Sequence, residues 1–270
     1  MSGAAQHHFS FYSRYRKAVS ATLSMVALLL MWEAAVFVFA PPVWLLPAPS
    51  DIATELFAFP AFYAHHAVYT IRSALIGFAI ALVVGMLAAI GIVYSRFLET
   101  TIYTLIVGIN SIPKIALAPL FIIWLGTGVN SKLAIAALSA LFPIAISSVL
   151  GLRSADPDAL DLARSLRASG FQVLTTIRLP SAAASVFSGV KVGLSFALIG
   201  AIAGEFVASS QGLGYVIIIS QGTLLTTRVF ASLLVLLISG MVLFYVVSYV
   251  ERLLIPWHVS QRGSSEHVMI

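Results

Sequence analysis

The sequence predicts an all-α, polytopic membrane protein with six transmembrane helices, and three observations carry that prediction. Of its 270 residues, 60% are apolar and only 9% charged, whereas soluble domains carry about 25% charge. The mean hydropathy is +1.02. The apolar residues also come in long runs, close to the about 20 residues a helix needs to cross hydrocarbon. They do not show the strand alternation of an outer-membrane barrel. A soluble enzyme, a disordered chain and a fibrous repeat are excluded, because so few charges could not cover a water-facing surface.

The spans follow in order. Residues 1–17 form a basic tail with Arg14, Arg16 and Lys17. The first apolar run, Ala18 to Ala40, is interrupted only by Glu33. Val38-Phe39-Ala40 resembles a signal-peptide cleavage site, but the run is about twice the usual length of such a segment. It therefore reads as an uncleaved first span. Pro41, Pro42, Pro47 and Pro49 stop any helix. Ser50 or Asp51 caps a short helix, about Ile52 to Phe59, that Pro60 closes.

The second span is Val68 to Tyr94. The third stretch, Thr101 to Leu125, contains Pro113 and Pro119 and is expected to be kinked or broken. A turn at 126–130 leads to the fourth span, Leu133 to Leu150. The polar stretch 153–180 precedes the fifth span, Ala183 to Phe206. The patch Tyr215 to Ile219 is too short to cross, and the sixth span is Val229 to Val250. The chain thus reads as one transmembrane domain over 18–255, with a second tail at 256–270.

Six spans place both termini on one side. That side carries Arg14, Arg16, Lys17, Arg96, Arg153, Arg164, Arg167, Arg178, Arg252 and Arg262, against Arg72, Lys132 and Arg228 on the other. Ten basic residues against three predict that both termini and the 153–180 loop are cytoplasmic.

Chemistry is sparse. With no cysteine, there is no thiolate metal site or cysteine nucleophile. No lysine is followed by Ser or Thr, so a Walker phosphate loop is missing. The histidines His7, His8, His65, His66, His258 and His267 show no metal or proton-relay pattern. Ser111-x-x-Lys114 and Ser188-x-x-Lys191 match a Ser–Lys nucleophile spacing but lack its partner motifs. No catalytic residue and no metal ligand is assigned. The net charge of +5 fits cytoplasmic loops, not nucleic-acid binding.

The 153–180 loop is the informative part. Asp156 caps a helix with Pro157 in its first turn. Asp158 and Asp161 suit its positive end, and Arg164 and Arg167 its negative end. Ser169-Gly170 breaks it, and a second helix, Phe171 to Ile177, is expected to stop near Pro180. Two short helices at a turn make a compact docking knob. In the fifth span, Ser185, Gly189, Gly193, Ala197, Gly200 and Gly204 form a small-residue packing stripe. It suits a seam either inside the subunit or between two copies. Glu33, Lys114, Lys191 and Glu205 lie in or near spans and serve either a transport path or structural pairing and snorkelling.

The stretch Asp161-Leu162-Ala163 to Ile177, Leu179 and Pro180 resembles the EAA loop of ABC-importer permeases, with Arg167 where that pattern has Gly. Gly170, three residues on, is expected to supply the turn instead. Further similarity lies in Trp32-Glu33, Leu46-Pro47-Ala48-Pro49-Ser50, Ile112-Pro113-Lys114 through Ala118-Pro119-Leu120 and Trp124-Leu125-Gly126-Thr127-Gly128. Phe142-Pro143 and Gly204-Glu205-Phe206 with Gly212-Leu213-Gly214 extend it. Over about residues 25 to 255 the chain resembles the nitrate/sulfonate/taurine-type subfamily of binding-protein-dependent permeases.

That resemblance implies a type I ABC importer fold in the bacterial inner membrane, paired as a homodimer. It implies two cytoplasmic ATPase subunits that hold ATP and magnesium, and an external or lipid-anchored solute-binding protein. The chain itself would hold no cofactor. The solute would be a sulfonate such as taurine, nitrate, an aromatic acid or a vitamin precursor. Asp161, Leu162, Ala163, Arg164, Arg167, Gly170, Ile177, Leu179 and Pro180 would couple to the ATPase. Gly189, Gly193, Gly200 and Gly204 would pack helices, and Lys114, Lys191 and Glu205 are candidates for the translocation path. An ion-coupled secondary transporter is the alternative, although it would want paired mid-membrane carboxylates and inverted repeats. A membrane-embedded enzyme is a third reading, without a nucleophile–base pair to support it.

Overall fold

The computed structural model describes residues 3–255 apart from Ser111 and Ala208, with side chains from Val19 onward except Ala21. The tail 256–270, with Arg262, and the side chains of Arg14, Arg16 and Lys17 lie outside the described residues. Every described element is helical. Helix α1, Gly3–Phe39, ends ahead of Pro41-Pro42. Helix α2, Pro49–Ala58, opens on a proline, which suits the first helical position because its missing N–H has no partner there. The Asp51 carboxylate accepts from Ala48 N at 3.3 Å. Glu33 of α1 accepts from Ser50 N at 3.1 Å and from Ser50 Oγ at 2.6 Å. That carboxylate sits at the positive end of α2, so it joins two helices.

Helix α3, Pro60–Tyr94, starts earlier than the expected Val68. Pro60 closes α2 and also opens α3, because it occupies the first turn, where it costs nothing. The third stretch is broken. Helix α4, Arg96–Leu98, a π-helical turn at Glu99–Tyr103 and helix α5, Thr104–Asn110, form its first half. A 3₁₀ turn, Lys114–Leu117, and helix α6, Ala118–Leu125, form the second. The halves are bent by 96°. Pro113 forces the break, as it lacks an N–H and biases Ile112 away from helical angles. Pro119 is harmless in the first turn of α6.

Helix α7, Val129–Arg153, keeps Pro143 in its interior. Helix α8, Pro157–Ser165, and helix α9, Gly170–Val173, make the knob. The second knob helix does not stop near Pro180. It runs through a π-helical turn, Leu174–Arg178, into helix α10, Leu179–Val207, as one 38-residue helix from Gly170. The wider π turn relieves the clash of the Pro180 ring with the preceding turn and leaves no regular α bond for its missing N–H. Helix α11, Leu213–Gly222, and helix α12, Thr226–Leu254, complete the chain. Five of these helices are long and apolar enough to span, and the bent pair makes six.

The bundle is built around α7, pressed between α3 and α10. A Cβ placed on Gly77 of α3 would lie 2.5 Å from Ala136 Cβ and 3.1 Å from Leu133 O. The small-residue stripe of α10 faces α7 along its length. A Cβ at Gly189 would lie 3.0 Å from Pro143 O, and one at Gly200 2.8 Å from both Ala136 Cα and Ile135 O. One at Gly204 would lie 3.1 Å from Lys132 Cα. Ala74, Ala81 and Ala89 of α3 and Ala136, Ala140 and Ala145 of α7 are buried, while Ile80, Val83, Val84 and Leu87 face outward. This is the membrane pattern, with small residues inside where backbones meet and bulky ones against lipid. A second cluster joins Ile52, Tyr63, Leu213, Ile217 and Leu236, with the Trp32 ring of α1 5.7 Å from the Phe230 ring and tilted 56° to it.

Gly200→Ala should cost about 1–3 kcal/mol, because beside the Ser139 hydroxyl at 2.7 Å the obstructing atoms, Ala136 Cα and Ile135 O, are backbone and cannot rotate away. Gly108→Ala, where nothing lies within 4 Å, should be neutral or stabilising by about 0.5–1 kcal/mol. Thermal unfolding in detergent, followed by tryptophan fluorescence, checks the contrast. Equal melting temperatures would refute the close-packed interface.

Candidate functional site

The knob is a capped, self-contained turn of chain. Asp156 caps α8 by accepting from Asp158 N at 2.9 Å. The helix ends in a paired bond pattern, Ala168 N to Ala163 O at 2.9 Å and Arg167 N to Arg164 O at 3.0 Å. That ending needs a left-handed residue, and Arg167 supplies it with φ +52°. Gly170 does not supply the turn, as the sequence suggested. It is the first residue of α9, in a right-handed helix. Arg167, at the motif's glycine position, thus takes the left-handed conformation that glycine favours. Ser169 and Gln172 then form a reciprocal capping box, with Ser169 N donating to Gln172 Oε1 at 2.7 Å and Gln172 N to Ser169 Oγ at 3.3 Å.

Its surface is mixed, with large apolar side chains exposed among Asp158, Arg167, Gln172 and one ion pair. Leu162, Leu166 and Phe171 are 62%, 73% and 74% exposed. Ala163 is buried. A cleft of about 350 Å³ between α8 and α9 is lined by Leu162, Ala163, Leu166, Val173 and Ile177. Asp161 lies on the exposed face of α8, with Arg164 Nη1 at 2.7 Å. Leu179 and Pro180 sit at the root, at the start of α10.

The root is tied to the bundle by residues the sequence did not single out as a group. Arg178 donates from Nη1 to Leu152 O at 2.7 Å, and its guanidinium lies 5.7 Å from the Tyr94 ring. Tyr94 donates its hydroxyl to Gly170 O at 2.9 Å. Arg153 pairs with Glu99 at 2.8 Å. The ends of α3 and α7 and the start of α9 are thus fastened together around a polar cleft of about 540 Å³, lined by Glu99, Arg153, Asp161, Arg164 and Arg178. Tyr94 carried no local signal, since its partner lies 76 residues away.

At the opposite end of the bundle, Glu205 is 1% exposed. Its carboxylate accepts from Gly214 N at 2.8 Å and from Thr70 Oγ1 at 2.9 Å. Thr70 Oγ1 accepts from Leu213 N at 2.9 Å, and His66 Nδ1 accepts from Gly212 N at 3.0 Å. Three successive orphan N–H groups at the start of α11 are therefore satisfied from α3 and α10. Gly212 has φ +105°, and a Cβ there would strike the Glu205 carboxyl. This clasp gives the Gly204-Glu205 and Gly212-Leu213-Gly214 motifs one joint structural role. Beside it, Lys132 Nζ donates to Ser209 Oγ at 2.8 Å and Tyr69 OH at 3.2 Å. His66 and Thr70 are one helical turn apart on α3, which is the only signal the sequence held for them.

The other charged candidates are separate. Lys191 of α10 pairs with Glu251 of α12 at 2.5 Å and faces the Phe244 ring. Lys114 donates to Asn110 O at 2.6 Å and Asn110 Oδ1 at 2.8 Å across the broken helix. Among the described residues, no group of His, Asp or Glu is arranged to hold a metal ion.

Residues 81–257 match the family model described as binding-protein-dependent transport system inner membrane component. The riboflavin transport system permease protein RibX of Chloroflexus aurantiacus is 32% identical, over 90% of this chain and 91% of that one. The putative aliphatic sulfonates transport permease protein SsuC of Bacillus subtilis is 30% identical, over 81% of this chain and 80% of its own. A chain in a crystal structure of an amino acid ABC transporter with histidines superposes with a TM-score of 0.58. It covers 75% of this chain and 97% of that one at 16% identity, a likeness of fold.

Two substitutions probe the two ends. Arg167→Gly removes the left-handed penalty, about 1 kcal/mol, so the protection factor of the Ala168 amide, bonded to Ala163 O, should rise about fivefold. An unchanged or lower protection factor would contradict the turn. Glu205→Ala leaves Gly214 N without its acceptor and the Thr70 hydroxyl with only His66 O, at 3.2 Å, and should cost about 1–3 kcal/mol. Its melting temperature in detergent reads that loss, and a wild-type value would show that α11 is held by other contacts.

Proposed function

The chain belongs to the binding-protein-dependent transport system inner membrane component family, and on that premise we propose that its knob is the point where ATP hydrolysis on separate subunits is coupled to solute movement. The chain is a permease subunit of an ATP-binding-cassette importer, of the nitrate/sulfonate/taurine type and with the type I importer fold. It is a multi-pass inner-membrane protein and not itself an enzyme. Family membership sets aside the ion-coupled transporter.

The observation that carries the coupling reading is the knob itself. It is a capped helix pair that exposes leucine and phenylalanine side chains where a loop would ordinarily be polar. Asp161, Leu162, Arg164 and Arg167 would present the contact face to an ATPase groove. Ala163, Gly170, Ile177, Leu179 and Pro180 would hold its shape. Two copies would pair as a homodimer with two ATPase subunits that bind ATP and magnesium. The arginines at the knob end, Arg96, Arg153, Arg164, Arg167, Arg178 and Arg252, support a cytoplasmic knob and cytoplasmic termini. A binding protein on the other side would deliver a small solute. The names of the relatives support the riboflavin-like or sulfonate class for it, within a range that includes taurine, nitrate and aromatic acids.

Asp161→Lys turns the Asp161–Arg164 pair into a repulsion on the contact face. ATP-driven uptake in proteoliposomes holding the ATPase and binding protein should fall about tenfold or more, with insertion unchanged. Uptake at the wild-type rate would refute coupling through this face.

A further inference from the structure

The intramembrane charges fall into two groups. Glu33 caps α2, Glu205 caps α11, Lys191 pairs with Glu251, and Lys132 is held by Ser209 and Tyr69. Among the described residues neither Lys132 nor Lys114 makes an ion pair. The charge of Lys132 acts on the nearby Glu205 carboxylate, whereas Lys114 has no such acid acting on it, and only Asn110 O and Oδ1 accept from it. Those bonds occupy two of its three N–H directions and leave the positive charge uncompensated.

Its depth makes that costly. The Lys114 ammonium lies 5.3 Å from the Phe142 ring, and Phe142 is near the middle of α7, Val129–Arg153. At about 1.5 Å per residue, both ends of α7 are more than about 15 Å away along its axis. That is about half the hydrocarbon thickness, which a lysine side chain cannot bridge by snorkelling. The position is also the break between α5 and α6, bent by 96°, and irregular backbone at membrane depth is tolerated where it lines a cavity. Ile112 and Ile115 beside it are exposed.

We propose that Lys114, steadied by Asn110, is an anion subsite in the translocation path, with the carboxylate, sulfonate or other oxyanion group of the solute as its transient counter-ion. The inference rests on the importer reading, and it narrows the solute class to one bearing a negative group. The remaining N–H of the ammonium donates to an oxyanion oxygen, and Asn110 fixes the side chain so that the charge faces the break. A charge at this depth attracts an anion into the path and holds it by a single contact, weak enough to release.

The chain contains no cysteine, so one introduced thiol reports on the site. Ile115→Cys, in the full chain reconstituted with its ATPase partners, is treated with thiosulfonate reagents carrying either a sulfonate or a trimethylammonium group. Rates are taken without nucleotide and after trapping with ATP and vanadate. In at least one state both reagents should react, the anionic one favoured. A unit charge on the order of 6 Å away in water changes each rate about threefold, in opposite directions. Lys114→Met should therefore lower the anionic-to-cationic rate ratio about tenfold, and Lys114→Arg should restore it. Ethanesulfonate should protect the thiol in the lysine chain but not in the methionine chain. Ile112→Cys is the second reporter if the first variant does not assemble. No reaction in either state, or a ratio indifferent to Lys114→Met, overturns the subsite. The labelling needs no uptake, so its failure is distinct from uptake surviving Asp161→Lys, which would overturn the importer coupling.

Discussion

Everything in this bundle depends on the distance at which α7 lies from α3 and α10. In lipid, apolar side chains gain nothing by leaving their surroundings for one another, so helix association rests on close packing and on satisfied polar groups. The chain meets the first need by removing side chains at the contact. Gly77 faces Ala136 and the Leu133 carbonyl, and Gly200 faces Ala136 and the Ile135 carbonyl. α7 is therefore gripped on two sides at the level of Ala136. The same approach lets α7 carry Pro143 in mid-helix, since the helix is supported by its neighbours on both faces and not by its own hydrogen bonds alone. Bulky residues are displaced outward, which is why so many leucines, isoleucines and valines are exposed in a single copy.

The second need is met at several helix ends by a residue from another helix. Glu33 of α1 serves the start of α2. Glu205 of α10, with Thr70 and His66 of α3, serves the start of α11. Arg178 serves the carbonyl end of α7 through Leu152 O. These caps differ from local ones because each also fastens two elements together. A short helix such as α11, too short to span, can then hold a fixed place in the bundle.

What was legible in the sequence divides along the same line. Spans, the break at Pro113, the helix start at Asp156-Pro157 and the motif carrying the knob depend on local composition, and local composition is what a single sequence displays. The helix lengths were less legible because proline was read as a stop. At Pro60 it is a start, and at Pro180 a π turn carries the helix through. The turn at Arg167 was misplaced to Gly170 because glycine is the usual left-handed residue, while here the bond pattern from Ala163 and Arg164 holds an arginine in that conformation. The clasp was invisible for another reason. Thr70 and Glu205 are 135 residues apart, and neither carries a mark that it will meet the other. The glycine stripe reads as a seam with either an internal or an external partner, and only the three-dimensional arrangement sets it against α7.

The continuous helix from Gly170 to Val207 gives these ends a mechanical relation. At its first turn Gly170 is bound by Tyr94, and at its last Glu205 holds the start of α11. Its 38 residues make a rod of about 57 Å at 1.5 Å per residue. Along the rod, Gly189, Gly200 and Gly204 keep it against backbone atoms of α7, and Gly193 against the Ile144 side chain. A close-packed contact of this kind transmits displacement because it is nearly incompressible. A movement imposed on the knob therefore has to appear as motion of α10 with α7, and through the clasp as motion of α11. The broken stretch α5–α6 meets this rod near one point, where Ala118 packs with Ala203 and Ile135. It packs against α7 with few buried residues and exposes its flanking isoleucines. The molecule thus pairs a stiff element that reaches both ends with a lightly held break at mid-depth. If the knob is the coupling point and the break lines the path, as proposed above, the stiff element lies where force would enter and the loosely packed one where the wall would open.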